Sequence, residues 1–149
     1  MLTETLVTLF TRDLNKLKSE IMLYNNEQHI WLVQENITNS ASNLTLHLVG
    51  NINHFIGKVL GNVNYERQRD LEFSLKNVPR NELIEMIDET IAIISKVLPS
   101  LNDEQINSDY PLIVFKEKMS TEYFLIHLAT HLGYHLGQIN YHRRLLDKS

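Results

Sequence analysis

Apolar residues in this chain recur at steps of three and four along stretch after stretch, and that period restricts the fold to packed helices. From Leu6 the positions Phe10, Leu14, Leu17, Ile21 and Tyr24 form one stripe, the pattern of an amphipathic helix that buries a single side. It predicts helix 1 over about residues 2–34, with a bend near Asn25 and Asn26. The polar stretch 36–43 is rich in Asn and Ser, which favour turns and N-caps, and the apolar run that follows predicts helix 2 over residues 42–60, stopped by Gly61. Helix 3 opens at Pro79, carries Leu83, Ile87, Ile91, Ile94 and Leu98, and closes before Pro99. Ser120 caps helix 4, which runs to about Leu146 and ends with Arg143, Arg144 and Lys148, where cations meet the negative pole of the helix. Residues 62–79 lack a helical stripe, and 110–115 fit either a short strand or a packed loop. The expectation is an all-α, antiparallel four-helix bundle with long crossover connections, one domain over residues 1–149.

Charge and composition remove several function classes. Lys and Arg number 14 against 18 Asp and Glu, for a net charge of −4, so no basic surplus exists to track a phosphate backbone or an anionic bilayer. Nucleic acid and membrane are therefore not expected partners. No apolar run approaches the roughly 18 residues of a membrane span, and the first residues lack the order of a signal peptide, so a cytoplasmic setting is expected. With no Cys in the chain, any metal must be held by imidazole, carboxylate or amide groups.

The seven histidines are the compositional oddity. His131 and His135 lie one turn apart on helix 4, close enough for two imidazoles to reach one metal ion. The same spacing also fits a solvated pair or one bonded to backbone. His47 falls inside the apolar stretch of helix 2, between Leu46 and Leu48, and a buried imidazole without a partner costs about 1–3 kcal/mol. A third ligand from a facing helix is one solution, and it leaves an open coordination position of the catalytic kind. Antiparallel packing would bring His54 level with His127, whereas His142 stands about 10 Å beyond His135 and reads as a cap or surface residue.

Several neighbours are candidates to support such a site. Asn43 and Asn51 lie one turn either side of His47, and Gln138 lies nearly on the His131 face; these amides would orient ligands or substrate, or make ordinary hydrogen bonds between helices. Glu27 and Trp31, at the end of helix 1, would line the mouth of the site, or form an ion pair and a buried indole edge. Gly50 and Gly57 flank the His47 face and would admit a close neighbour; Gly133 and Gly137, nearly opposite the histidines of helix 4, would mark packing against another element or a second subunit. In the crossover, Arg67, Arg69, Asp70 and Glu72 either clamp an anionic substrate or tie the loop down, Glu72 paired with arginine being the simpler outcome.

Three segments together resemble the DinB superfamily, and within it a subfamily of undefined function. They are residues 39–51, with Asn43, His47, Gly50 and Asn51; residues 67–73, with Arg67, Arg69, Asp70, Glu72 and Phe73; and residues 131–139, with His131, Gly133, His135, Gly137 and Gln138. Tyr24, Glu27 and Trp31 extend the likeness into helix 1. The resemblance implies a four-helix up-down-down-up bundle, usually a homodimer, with a divalent metal ion, zinc or nickel foremost, on His47, His131 and His135. Relatives in that superfamily include thiol-dependent S-transferases and isomerases that use low-molecular-weight thiols such as bacillithiol or mycothiol, so the expectation is a metal-dependent enzyme that activates an exogenous thiol for S-transfer to a small-molecule substrate. Other relatives are labelled metal-dependent hydrolases, which would need a general base. Glu27 is the carboxylate nominated for that task, since Leu132 follows His131 and no His-Glu pair of the zinc-protease kind is present. A third reading is a helical dimer that binds metal without turnover.

Overall fold

Serine caps set the starts of the two helices that carry the histidines. Ser40 Oγ accepts from the backbone N–H of Asn43, and Ser120 Oγ from that of Tyr123, each satisfying a donor that the first helical turn leaves free. In a computed structural model, which describes residues 1–148, the chain forms six helices and, among the described residues, no strand. They are α1 (Leu2–Leu23), α2 (Ala41–Ile52), α3 (Arg69–Ser74), α4 (Arg80–Val97), α5 (Asp103–Asn107) and α6 (Thr121–Leu146). α2 runs on through a π-helical turn, Asn53–Lys58, and a last turn, Val59–Gly61. The final residue of the expected domain, Ser149, lies outside the described residues.

α1 packs against α4 and α6, and α2 against α3, α4 and α6. Leu6, Phe10, Leu14, Leu17 and Ile21 of α1 join Leu83, Ile87 and Ile94 of α4 and Phe124, Leu128, Leu132 and Ile139 of α6 in one apolar cluster. Each such side chain contributes about 1.5–3 kcal/mol when fully buried. α2 is different in kind: every residue from Ala41 to Ile52 is buried, Asn43, His47 and Asn51 included. Polar groups on a helix so enclosed must find partners within the protein. Among the described residues no helix is long and apolar enough to cross a membrane.

The structure corrects three expectations and decides one that the sequence left open. Helix 1 ends at Leu23 instead of continuing to residue 34, because Tyr24 turns extended (φ −61°, ψ 126°) and the Asp147 carboxylate, from just past α6, accepts the backbone N–H groups of Asn25 at 2.6 Å and Asn26 at 3.3 Å. A short 3₁₀ turn, Glu27–Trp31, follows. The crossover 62–79 contains α3, whose Asp70 and Glu72 stand in its first turn. Residues 110–115 form a loop rather than a strand: Tyr110 is buried, bonding Met119 O through its N–H and Phe55 O through its hydroxyl, while Leu112, Ile113 and Phe115 stay exposed. His142 is neither a cap nor a surface residue; it is 3% exposed, its Nδ1 accepts from the Tyr24 hydroxyl at 2.7 Å and its Nε2–H donates to Leu32 O at 2.8 Å.

Candidate metal centre

The buried middle of α2 faces α6, and three imidazoles meet there. His47 Nε2 lies 3.3 Å from His131 Nε2, and His135 Nε2 lies 3.1 Å from the same atom. One ligand atom from each of the three lies within 4.8 Å of the other two, so the group could hold a metal ion. In a tetrahedral site with Zn–N bonds of about 2.0–2.1 Å, neighbouring nitrogens stand roughly 3.3–3.4 Å apart, which matches the His47–His131 contact and is slightly longer than the 3.1 Å between His135 and His131.

Proton accounting points the same way. His47 Nδ1 sits 3.0 Å from Glu72 Oε1 and His135 Nδ1 sits 2.7 Å from Gln138 Oε1. Both partners are oxygen acceptors, so both Nδ1 atoms carry the proton, and in the neutral rings both Nε2 atoms present lone pairs. Those lone pairs aim at His131 Nε2, which can donate to only one of them. A cation at the common point satisfies all three nitrogens at once.

The support behind His47 is a buried carboxylate. Glu72, 6% exposed, accepts from Arg67 Nε at 2.9 Å and Arg67 Nη2 at 3.0 Å as well as from His47. Burial alone would raise its pKa, but the hydrogen bonds from His47 and Arg67, with their charges, outweigh that and hold Glu72 below the usual carboxylate range. Room for the carboxylate comes from Gly50: a Cβ there would collide with Glu72 Oε2. Gly50 therefore admits a side chain from the crossover, and the close neighbours of Gly57 and Gly61 are Ile93 and Val97 of α4. Asn43 braces the same element, its Nδ2 donating to Glu72 O at 3.0 Å and Leu75 O at 2.9 Å.

A family model for DUF1572, proteins of unknown function, matches residues 5–149. The chain belongs to the DUF1572 family. No curated protein and no solved structure matches it.

Around the triad of this DUF1572 chain, the other candidate residues take varied places. Gln138 touches a triad residue directly, Asn43 acts one step further out through α3, and Asn51 is buried with Oδ1 unpartnered among the described residues. Glu27 is 56% exposed at its side chain and accepts the backbone N–H of Arg80 at 2.8 Å, so it caps the start of α4. Trp31 is half-buried against the apolar cluster. His127 lies between Phe115 and Phe124, its ring 6.3 Å from that of His131, and His54 Nδ1 has no partner among the described residues. The Glu72–His47 contact and the Phe73 ring, 5.0 Å from that of His47, are the features sequence reasoning missed. Gly50, a glycine inside a helix, was the available signal.

Burial pushes the His131 pKa down to about 4, helped by the neighbouring His135, His47 and His127 and by Arg67; burial also lowers His135, against the hydrogen bond to Gln138. His131 is thus neutral, the ligating form, at pH 7.

Two predictions follow from this geometry. Gly50→Ala and Glu72→Gln each weaken zinc affinity by about 10–100-fold at pH 7, measured by competition with a chromophoric chelator. For the metal-free protein, the folded His131 pKa lies below the unfolded value near 6.5, so below that pH the unfolded state binds the proton first. Stability in denaturant titrations then declines as pH falls from about 6.5 towards 4, and His131→Gln flattens that decline.

Proposed function

We propose that this DUF1572 protein is a DinB-like metalloenzyme in which His47, His131 and His135 hold a zinc or nickel ion and the open position takes a low-molecular-weight thiol for S-transfer. The observation that carries the reading is the convergence of three Nε2 atoms from two helices, with an oxygen acceptor behind two of the rings. A bound divalent cation lowers the pKa of a coordinated thiol, supplying thiolate at neutral pH to a chain that has no Cys. The protein's part is positional: Glu72, clamped by Arg67, keeps the proton of His47 on Nδ1, and Gln138 does so for His135. The small-molecule electrophile receives the sulfur, and its leaving group departs with the bonding electrons.

The up-down-down-up arrangement is part of the proposal. Lys18 with Asp88, and Glu27 with Arg80, support α1 and α4 running in opposite directions. Leu6 and Phe10 sharing a groove with Ile126 and Ala129 near the starts of α1 and α6, and Glu20 with Arg143 near their ends, support the two running together, while Asn53 with Thr90 and Gly57 with Ile93 support α2 alongside α4. A hydrolase is the weaker reading, because neither of these two carboxylates is free to act as base: Glu27 is engaged at Arg80, and Glu72 is held as an anion between Arg67 and His47. A homodimer completes the proposal. Gly133 and Gly137 have nothing within 4 Å of a would-be Cβ, and with exposed Ile126 and Tyr141 they offer α6 a face that a second copy can approach closely.

Elemental analysis of untagged protein tests the centre. Wild type retains close to one equivalent of metal per chain, and His47→Ala loses most of it; a His47→Ala variant that keeps its metal sinks the reading. Metal-loaded protein that conjugates no electrophile with any thiol leaves a non-catalytic metal-binding protein. Sedimentation of the same wild-type sample gives a dimer and Gly137→Glu a monomer; a wild-type monomer removes the dimer alone.

A further inference from the structure

Two of the three triad rings have an oxygen acceptor behind them, and the third has none assigned. A cation on all three Nε2 atoms leaves each neutral imidazole with its proton on Nδ1. His47 donates that proton to Glu72 at 3.0 Å, and His135 donates its own to Gln138 at 2.7 Å. His131 Nδ1 is enclosed and has no partner among the described residues. A buried N–H without an acceptor gives up its hydration for nothing, and metal-ligating histidines as a rule donate their second nitrogen to an oxygen.

The direction of that N–H follows from the ring. In an imidazole the Nδ1–H bond and the Nε2 lone pair diverge, so the first points away from what the second faces. His131 Nε2 faces His47 and His135, and His135 lies one turn towards the C-terminal end of α6. Nδ1 is therefore turned towards the N-terminal end, the His127 side. Two contacts between the helices show which part of α2 lies there. The rings of His47 and His131 are 5.1 Å apart, and those of Phe55 and Phe124 are also 5.1 Å apart. Residues of α2 after His47 thus lie beside residues of α6 before His131.

Asn51, midway between His47 and Phe55 and on the same face of α2 as His47, stands level with the gap between His131 and His127. It is 8% exposed, and its Oδ1 is enclosed and unpartnered among the described residues. An acceptor and a donor without partners therefore lie at one level on facing helices. The other unpartnered buried group on this side, His54 Nδ1, belongs to the next turn, where its ring lies beside that of Phe55.

We infer that Asn51 Oδ1 accepts the Nδ1–H of His131 when the triad holds its metal ion, so that Asn51 is a positioning residue of the centre, as Glu72 is for His47 and Gln138 for His135. The bond fixes His131 in the tautomer whose Nε2 lone pair faces the ion. The inference rests on the metal reading of the triad and is independent of what the ion then activates.

The test uses the full chain, labelled with nitrogen-15 histidine, loaded with zinc and read by proton–nitrogen NMR. In the wild type, His131 gives an Nδ1–H signal protected from solvent exchange. Asn51→Leu, similar in volume and unable to accept, shifts or removes that signal, leaves the His47 signal in place, and weakens zinc affinity by about 10–100-fold in competition with a chelator. Asn51→Asp, whose carboxylate is the stronger acceptor, moves the His131 signal further downfield and binds zinc at least as tightly as the wild type; this variant decides the matter even if Asn51→Leu does not fold. A His131 signal that is the same in the wild type and Asn51→Asp, or an unchanged zinc affinity in a folded Asn51→Leu, overturns the inference while the metal reading stands. Wild-type protein that takes up no zinc overturns the metal reading and this inference with it.

Discussion

The carboxylate of Glu72 is the interaction on which the centre depends. A carboxylate that is 6% exposed requires compensation, because desolvation of an unpaired charge costs several kcal/mol. Arg67 supplies it in a two-point contact, and His47 takes the remaining strong acceptor position on Oε1. Neither contact forms unless the carboxylate rests on the backbone of α2, and Gly50 leaves it that space. One buried charge thereby fixes the crossover, the tautomer of a histidine and the distance between α3 and α2.

The wider arrangement follows from the enclosure of α2. A helix buried on every side carries its polar residues into an apolar medium, so each needs a partner from a neighbouring element. Asn43 finds the carbonyls of α3, Asn53 finds Thr90 of α4, and His47 finds Glu72 behind it and His131 before it. The histidines of α6 have the complementary situation. Their rings turn inward, where burial and mutual proximity keep His131 neutral, while Gly133 and Gly137 of the same helix face outward.

Much of this was legible in the sequence. The stripes of α1, α4 and α6 announce themselves by period, and the Ser120 cap was readable as such. The spacing of His131 and His135, and the need of a His among Leu residues for a partner, also pointed to three side chains that the structure brings together. The pairing of Glu72 with arginine was the simpler expectation for the charged run, and Arg67 provides it. What could not be read were contacts between residues far apart in the chain. Asp147 ends α1 by binding Asn25 and Asn26, His142 is buried by Tyr24 and Leu32, and Glu72 reaches back to His47.

Periodicity and capping are local, acting over one or two helical turns, so the chain alone determined that it forms helices, roughly where they start, and which faces turn inward. Which histidine meets which, where helix 1 stops, and whether a carboxylate becomes a surface ion pair or a buried support depend on helix register and on the space left by neighbours. The tertiary structure decided those matters, because hydrogen bonds and desolvation act over a few ångströms and only packing brings such distances about.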